Sequence, residues 1–156
     1  MPHSNIEYAI MAPILLLQVL FLPVATGWMM DYWGTKRMET TLQDVASHLG
    51  TTVQELYYSL NRDDVLPGEV IHTLDIPEYI ESTPYTITSS SLQIENSTAI
   101  DLHLELFQQD VTVRVRNILG SNAALNPSSF ASNSPTIHLS VEKFVNGTIR
   151  FSFGGR

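Results

Sequence analysis

The chain has 156 residues, a formal net charge of −8, 44% hydrophobic residues and no cysteine. A nucleic-acid binder needs a basic surface to displace counterions, so that class is disfavoured. Without Cys, disulfide frameworks, thiol nucleophiles and Cys-ligated zinc are excluded, while the redox compartment stays open.

From Tyr8 to Met30 no residue is charged, and Ile, Leu, Val, Met, Phe and Ala dominate. About twenty such residues, rising roughly 1.5 Å each, cross a hydrocarbon core of about 30 Å. Glu7 is the lone carboxylate at the head of this run, and a charge at the edge of a membrane helix usually has a partner or a task. A secretory signal has a basic start, a short apolar core and a small-residue cleavage site. This run is longer and nothing basic precedes it, so its retention is expected. Pro13 and Pro23 lie inside it; each removes a backbone donor and predicts a kink or a loosened turn, tolerated where neighbouring helices satisfy the freed carbonyls. Gln18 can hydrogen-bond to an adjacent helix. Trp28, Tyr32 and Trp33 read as an interfacial belt, or as packing against a partner helix. Lys36 and Arg37 follow the run, which by the positive-inside rule favours a cytoplasmic C-terminal part.

From Met38 the pattern becomes amphipathic. Met38, Leu42, Val45, Leu49, Val53, Leu56 and Leu60 fall at steps of three and four, the stripe of a helix with one buried face. Glu39, Gln43, Asp44, Gln54 and Glu55 lie off it. Gly34 and Gly50 each cost about 1 kcal/mol relative to Ala but keep the phase. The spacing predicts one helix from about Asn5 to Asn61, ended by Asp63-Asp64 and Leu66-Pro67-Gly68. Nine carboxylates stand between Glu39 and Glu81 against one base, Arg62. Such an acidic surface suits water better than an anionic lipid face.

Strands follow. In Ala99–Phe107, Leu102, Leu104 and Leu106 alternate with Asp101, His103 and Glu105. In Val111–Ile118, Val111, Val113 and Val115 alternate with Thr112, Arg114 and Arg116. A tight reversal near Gln108-Gln109 sets the two arginines opposite the acidic face. The last hairpin, Thr136–Phe153, turns at Asn146-Gly147. A two-residue loop would pair Val141 with Ser152 and mix the faces. A three-residue loop, Val145 to Gly147 with Gly147 left-handed, pairs Val141 with Phe151, Leu139 with Phe153 and Glu142 with Arg150. Shorter strands are expected at Val70–Leu74, Tyr85–Ser89 and Leu92–Glu95. Gly120–Pro135, rich in Ser, Asn, Ala and Pro without periodicity, reads as an exposed loop. The fold expected is α+β: a long helix, hydrophobic and then amphipathic, packed on an antiparallel β-rich head. By secondary structure the division is 1–62 and 63–156.

The segment Ser4-Asn5-Ile6-Glu7-Tyr8-Ala9, running into an apolar helix, resembles the head of archaeal pilin-like proteins with class III signal peptides, members of the type IV pilin superfamily. Gln54-Glu55-Leu56-Tyr57-Tyr58-Ser59-Leu60-Asn61 and the tail ending Asn146-Gly147-Thr148-Ile149 also look like those surface proteins, so the resemblance covers most of the chain. It implies a helix that resides first in the membrane and then packs into the core of a helical filament of identical subunits. It further implies that Glu7 neutralises the amino terminus of an adjacent subunit. Assembly would involve Glu7, Tyr8, Pro13, Gln18 and Pro23, together with the pilus assembly machinery, and the product would be a cell-surface adhesion filament. The family's leader carries basic residues, whereas only Met1-Pro2 stand before His3. Either a true start further upstream or a different mode of processing accounts for this. A carboxylate in a dry helix core is costly unless paired, and the need to pair fixes register between subunits.

Thr41–Leu56, with Asn61 and Leu66–Ile71, resembles a LysM glycan-binding module, in which Thr52 and Glu55 would form a capping box for a second helix. That module needs a strand before Thr41, and Lys36-Arg37-Met38-Glu39 gives no strand pattern, so one continuous helix is preferred. A membrane-anchored glycan binder of this type and a single-span accessory subunit of a membrane complex are the alternative readings. His103 and His138, near Asp101, Glu105 and Glu142, could bind a metal only if their strands were adjacent; a solvated face with ion pairs is the ordinary reading. His48 and His72 are isolated. No phosphate-binding loop or catalytic constellation is recognisable, so neither enzymatic activity nor a cofactor is expected. Asn96-Ser97-Thr98 and Asn146-Gly147-Thr148 are glycosylation sequons, with Asn96 preferred because Asn146 already serves its turn.

Overall fold

A computed structural model describes the backbone of residues 3–107 and 109–155, and the side chains of residues 11–107 and 109–154. Its first element is an α-helix, α1, spanning His3–Leu60, which runs unbroken through Pro13 and Pro23. Eight strands follow: β1 (Gly68–Thr73), β2 (Tyr85–Ile94), β3 (Ser97–Leu106), β4 (Thr112–Gly120), β5 (Ala123–Asn126), β6 (Ser128–Ala131), β7 (Ile137–Lys143) and β8 (Ile149–Gly155). The α+β class expected from the sequence is the one observed. By compactness the chain divides after Arg37, into Met1–Arg37 and Met38–Arg156. The amphipathic half of the helix therefore belongs to the same unit as the strands.

In that second unit, Met38, Leu42, Val45, Leu49, Val53 and Leu60 are buried as the stripe requires. Ala46 and Tyr57 join them and Leu56 is only partly buried. The strands form two four-stranded sheets, ordered β1-β7-β8-β5 and β4-β3-β2-β6. Their inward residues share one core with the helix stripe, including Leu102, Leu104, Leu139, Val141 and Phe151. Gly50 lies where a side chain would meet Val115 Cγ1 at 3.0 Å and the Asn117 amide at 3.1 Å. The Asn117 amide donates to the Gly50 carbonyl at 2.9 Å. Close approach of helix and β4 thus explains a glycine that is otherwise unfavourable in a helix.

The helix ends in a polar network. Tyr57 donates to the Asn122 side-chain oxygen at 2.7 Å, and the Asn122 amide donates to Asn61 and to the Gly147 carbonyl. Lys143 Nζ donates to the carbonyls of Arg62 and Val65. A cation on the carbonyls just past a helix C-terminus is favourably placed against the helix dipole.

The terminal hairpin has the expected register: Val141 faces Phe151, Leu139 faces Phe153 and Glu142 faces Arg150. Gly147 has φ +82°, and Phe144 and Thr148 close a three-residue loop. The β3–β4 pair also matches, with Leu104 opposite Val113, Leu102 opposite Val115 and Asp101 opposite Arg116. Leu106 N donates to Val111 O across its reversal, of which Gln108 lies outside the described residues.

Two expectations are corrected. Tyr85–Ser89 and Leu92–Glu95 are not separate strands, because β2 runs continuously to Ile94 and pairs with β3 along its whole length. The run Ser89-Ser90-Ser91 hides the alternation that would have joined them. Gly120–Pro135 is not simply a loop: it contains β5, parallel to β8, and β6, antiparallel to β2. The chain passes from one sheet to the other at Pro127, and Ala123 and Leu125 are buried in the core. The continuous helix preferred from the sequence is the one observed: Thr52 lies within α1, and its hydroxyl donates to the His48 carbonyl at 3.0 Å.

Filling the space above β4 is expected to unsettle the unit. Gly50→Leu should lower its stability by about 1–3 kcal/mol through overpacking. Gly34→Leu, with nothing within 4 Å of the added carbon, should leave it unchanged. Denaturant unfolding of the detergent-solubilised chain, followed by circular dichroism, measures both.

Candidate functional site

In the first unit, residues 11–33 are exposed without interruption. Ile14, Leu15, Leu16 and Leu17, four successive positions that point to all sides of a helix, are 50–63% exposed. Phe21, Leu22, Trp28, Met30, Tyr32 and Trp33 are exposed as well. Such a surface has no polar face to turn toward water, unlike the amphipathic stripe that begins at Met38. The helix is long and apolar enough to cross a membrane. Pro13, Gln18 and Pro23 lie on this exposed stretch. Thr26 donates to the carbonyls of Leu22 and Pro23 at 2.8 and 3.0 Å, which hides its hydroxyl within the helix. Glu7 and Tyr8 fall in α1, but their side chains lie outside the described residues.

The second unit carries a charged centre on the outer face of β4-β3-β2. Asp101 is 4% exposed, beneath two arginines. Arg116 binds it bidentately, Nε at 2.6 Å and Nη2 at 2.9 Å, and Arg114 Nη2 donates to the same carboxylate. The hydrogen bonds from Arg116 lower the Asp101 pKa most; burial opposes them, Arg114 adds to them, and the carboxyl is held at about 2. The same contact raises the Arg116 pKa. Bidentate guanidinium–carboxylate pairing of this kind is both strong and directional. Two guanidinium groups thus converge on one buried carboxylate, and Glu105 stands exposed further along the same face of β3.

Along the sheet, Leu92, Ala99 and Ile118 form the row next to Ser90, Asp101 and Arg116. Leu92 and Ile118 are 53% and 58% exposed. Sequence reasoning anticipated the arginines opposite an acidic face but not this apolar row, which depends on β2 being continuous.

The residues considered for metal binding are separated. His103 is on β3 and His138 on β7, in different sheets. No cluster of three or more metal-ligating side chains occurs among the described residues. Asn96 is exposed in the β2–β3 turn, and Thr98 of its sequon is buried with its hydroxyl donated to the Ala123 carbonyl at 2.9 Å. Asn146 is also exposed, and its side-chain oxygen accepts from Thr148 N at 3.0 Å. Burial pushes the Tyr85 phenol above its usual range, and its hydroxyl donates to the Pro77 carbonyl.

No family model, curated protein or solved structure matches the chain.

The charged centre predicts an acid transition. Because the folded Asp101 pKa lies below its ordinary 3.8, its stabilisation is complete above that value and is lost as pH falls toward about 2. About 2 kcal/mol should disappear over that range. Thermal melts of the parent and of Asp101→Asn between pH 2 and 7 should converge at the acid end, with the variant less stable at neutral pH.

Proposed function

We propose that the chain is a structural, non-enzymatic subunit of a type IV pilus-like surface filament, assembled from many copies through the apolar part of α1. The observation that carries this reading is the uninterrupted exposure of the uncharged, largely apolar residues 11–30, joined to a unit with its own core. Lipid tails cover such a helix as well as another helix does, so association inside the bilayer gains little from hydrophobicity. Withdrawn from lipid, the same surface is stable only against other apolar surfaces. A fibre core of identical helices supplies them on every side.

In this reading the subunit waits in the membrane, and assembly machinery transfers it into a cell-surface filament. Glu7 is neutralised by the amino terminus of a neighbouring copy, and this pairing sets the axial step. Gln18 offers a hydrogen bond to an adjacent helix. The proline carbonyl gaps are tolerated where partner helices surround them. The role is adhesion or surface attachment, and Asn96 and Asn146 are accessible positions for sugar.

Against the LysM-like alternative stands the continuity of Thr41–Leu56, which lies within one helix whose stripe is in the core. The single-span accessory reading shares the apolar helix and differs in stoichiometry. Cells carrying the chain should shed fibres that contain it on shearing, visible by negative stain and identified by mass spectrometry. Glu7→Ala should reach the membrane in normal amount while fibre yield drops at least about tenfold, the equivalent of about 1.4 kcal/mol per contact. Recovery of the parent chain only as a membrane-resident single copy would overturn the proposal.

A further inference from the structure

A glycosylation sequon spans three residues, and the hydroxyl at its third position is as obligatory as the asparagine. A transferase that demands both groups has to reach both. The setting of the Ser or Thr therefore decides whether an exposed Asn can react, and the two sequons of this chain differ in that setting.

At Asn96 the third residue is locked. Asn96 itself is exposed, in the two-residue turn between Ile94 and Ser97. Thr98 is 1% exposed on β3, an interior strand, between Gln93 of β2 and Leu119 of β4. Its hydroxyl donates to the Ala123 carbonyl at 2.9 Å and accepts from Gln93 Nε2 at 3.2 Å. The next two residues, Ala99 and Ile100, are fully buried. Presenting Thr98 to an enzyme means parting β3 from both neighbours and uncovering the core beneath.

At Asn146 the sequon stands clear of the strands, since β7 ends at Lys143 and β8 begins at Ile149. Asn146 is exposed and Val145 before it is 92% exposed. Thr148 is half-buried, and its hydroxyl has no hydrogen-bond partner among the described residues. The loop is held by two backbone bonds to Phe144, by Thr148 N on the Asn146 side chain and by the Asn122 amide on the Gly147 carbonyl. Reshaping it disturbs these bonds and leaves the core covered. Openings confined to a loop cost far less than openings that part interior strands.

We infer that Asn146 accepts an oligosaccharide on the folded chain, whereas Asn96 accepts one only before β2, β3 and β4 have paired. In either transfer the Asn side-chain nitrogen bonds to the anomeric carbon of a lipid-phosphate-linked oligosaccharide. The bond from that carbon to the phosphate oxygen breaks, the lipid phosphate leaves, and the amide gives up one proton. Asn96 is exposed in its turn, so a sugar placed there early is compatible with the finished sheet. Sugar on Asn96 records that the transferase met an open chain, while Asn146 stays available on finished subunits. An exported chain is what meets such a transferase, and to that extent the difference rests on the surface-filament reading.

The full chain, produced without glycan and held in detergent, is incubated with an oligosaccharyltransferase of Asn-X-Ser/Thr specificity and its lipid-linked donor. Mass spectrometry of the two peptides follows occupancy with time. On the folded chain Asn146 should fill at least about tenfold faster than Asn96. A double variant, Leu104→Asp with Val141→Asp, puts a charge into each sheet at a fully buried position and should unfold the strands. With loss of tertiary structure verified by near-ultraviolet circular dichroism, the two rates should come within about threefold through a rise at Asn96. Equal rates on the folded chain would overturn the inference. So would a preference for Asn146 that survives unfolding, which would lie in the sequons themselves, or an Asn146 that stays unmodified on the folded chain. Because the assay uses single chains in detergent, failure here leaves the Glu7→Ala fibre assay as a separate judgement on the filament itself.

Discussion

A helix with apolar side chains on all sides has no stable exposed state in water, and this constraint governs the rest of the molecule. Fifteen large hydrophobic or aromatic side chains between Met11 and Trp33 are exposed in the isolated chain. Fully covering one aliphatic or Phe side chain is worth about 1.5–3 kcal/mol. At half that, the fifteen together come to about 11–22 kcal/mol, as large as or larger than the 5–15 kcal/mol or so that typically separates folded from unfolded domains. The covering of residues 11–33 therefore outweighs any individual contact in the strand-bearing unit. A bilayer or a bundle of like helices can supply it; water cannot.

The second half of the same helix solves a different problem with the same backbone. From Met38 the apolar residues narrow to a stripe, and two sheets cover it. One continuous α-helix thus passes from a surface that needs an external cover to one covered by its own chain. Gly50 and Tyr57 mark how tightly that internal cover is fitted. Gly50 admits β4, and Tyr57 reaches the turn after β4 through Asn122. The outer sheet face is organised by Asp101, whose burial would be costly without its two guanidinium partners.

Much of this was legible in the residue pattern because periodicity and turn chemistry were both strong. The stripe from Met38 to Leu60 repeats over six steps, and only Leu56 yields its buried place, to Tyr57. The terminal hairpin could be registered to the residue because Gly147 permits a left-handed turn and a one-residue slip would expose Phe151 and Phe153. Where the signal was weak, tertiary contacts decided. Ser89-Ser90-Ser91 has no apolar alternation, and β2 is held there by β3 along all three residues and by β6 at Ser89. The four-residue strands β5 and β6 were hidden among Ser, Asn and Pro, and Leu125 and Phe130 alone hinted at them. Glu81 and Ser82 form a two-residue reversal between Ile80 and Thr83 with φ +47° and +70°. Such turns normally announce themselves through Asn or Gly, and neither is present. The side-chain setting of Glu7, the residue on which the family resemblance leans most, lies outside the described structure.

The strand order has a consequence for biosynthesis. β1 pairs with β7 across a separation of about seventy residues, and β5 pairs with β8 in parallel. Loop closure over such distances is entropically unfavourable until many contacts form together, so pairing of this kind is intrinsically slow. On a ribosome the greasy segment emerges long before β7 and β8 exist. Its delivery to lipid is therefore settled while the β-rich part is still an open chain, and targeting never has to compete with a finished fold.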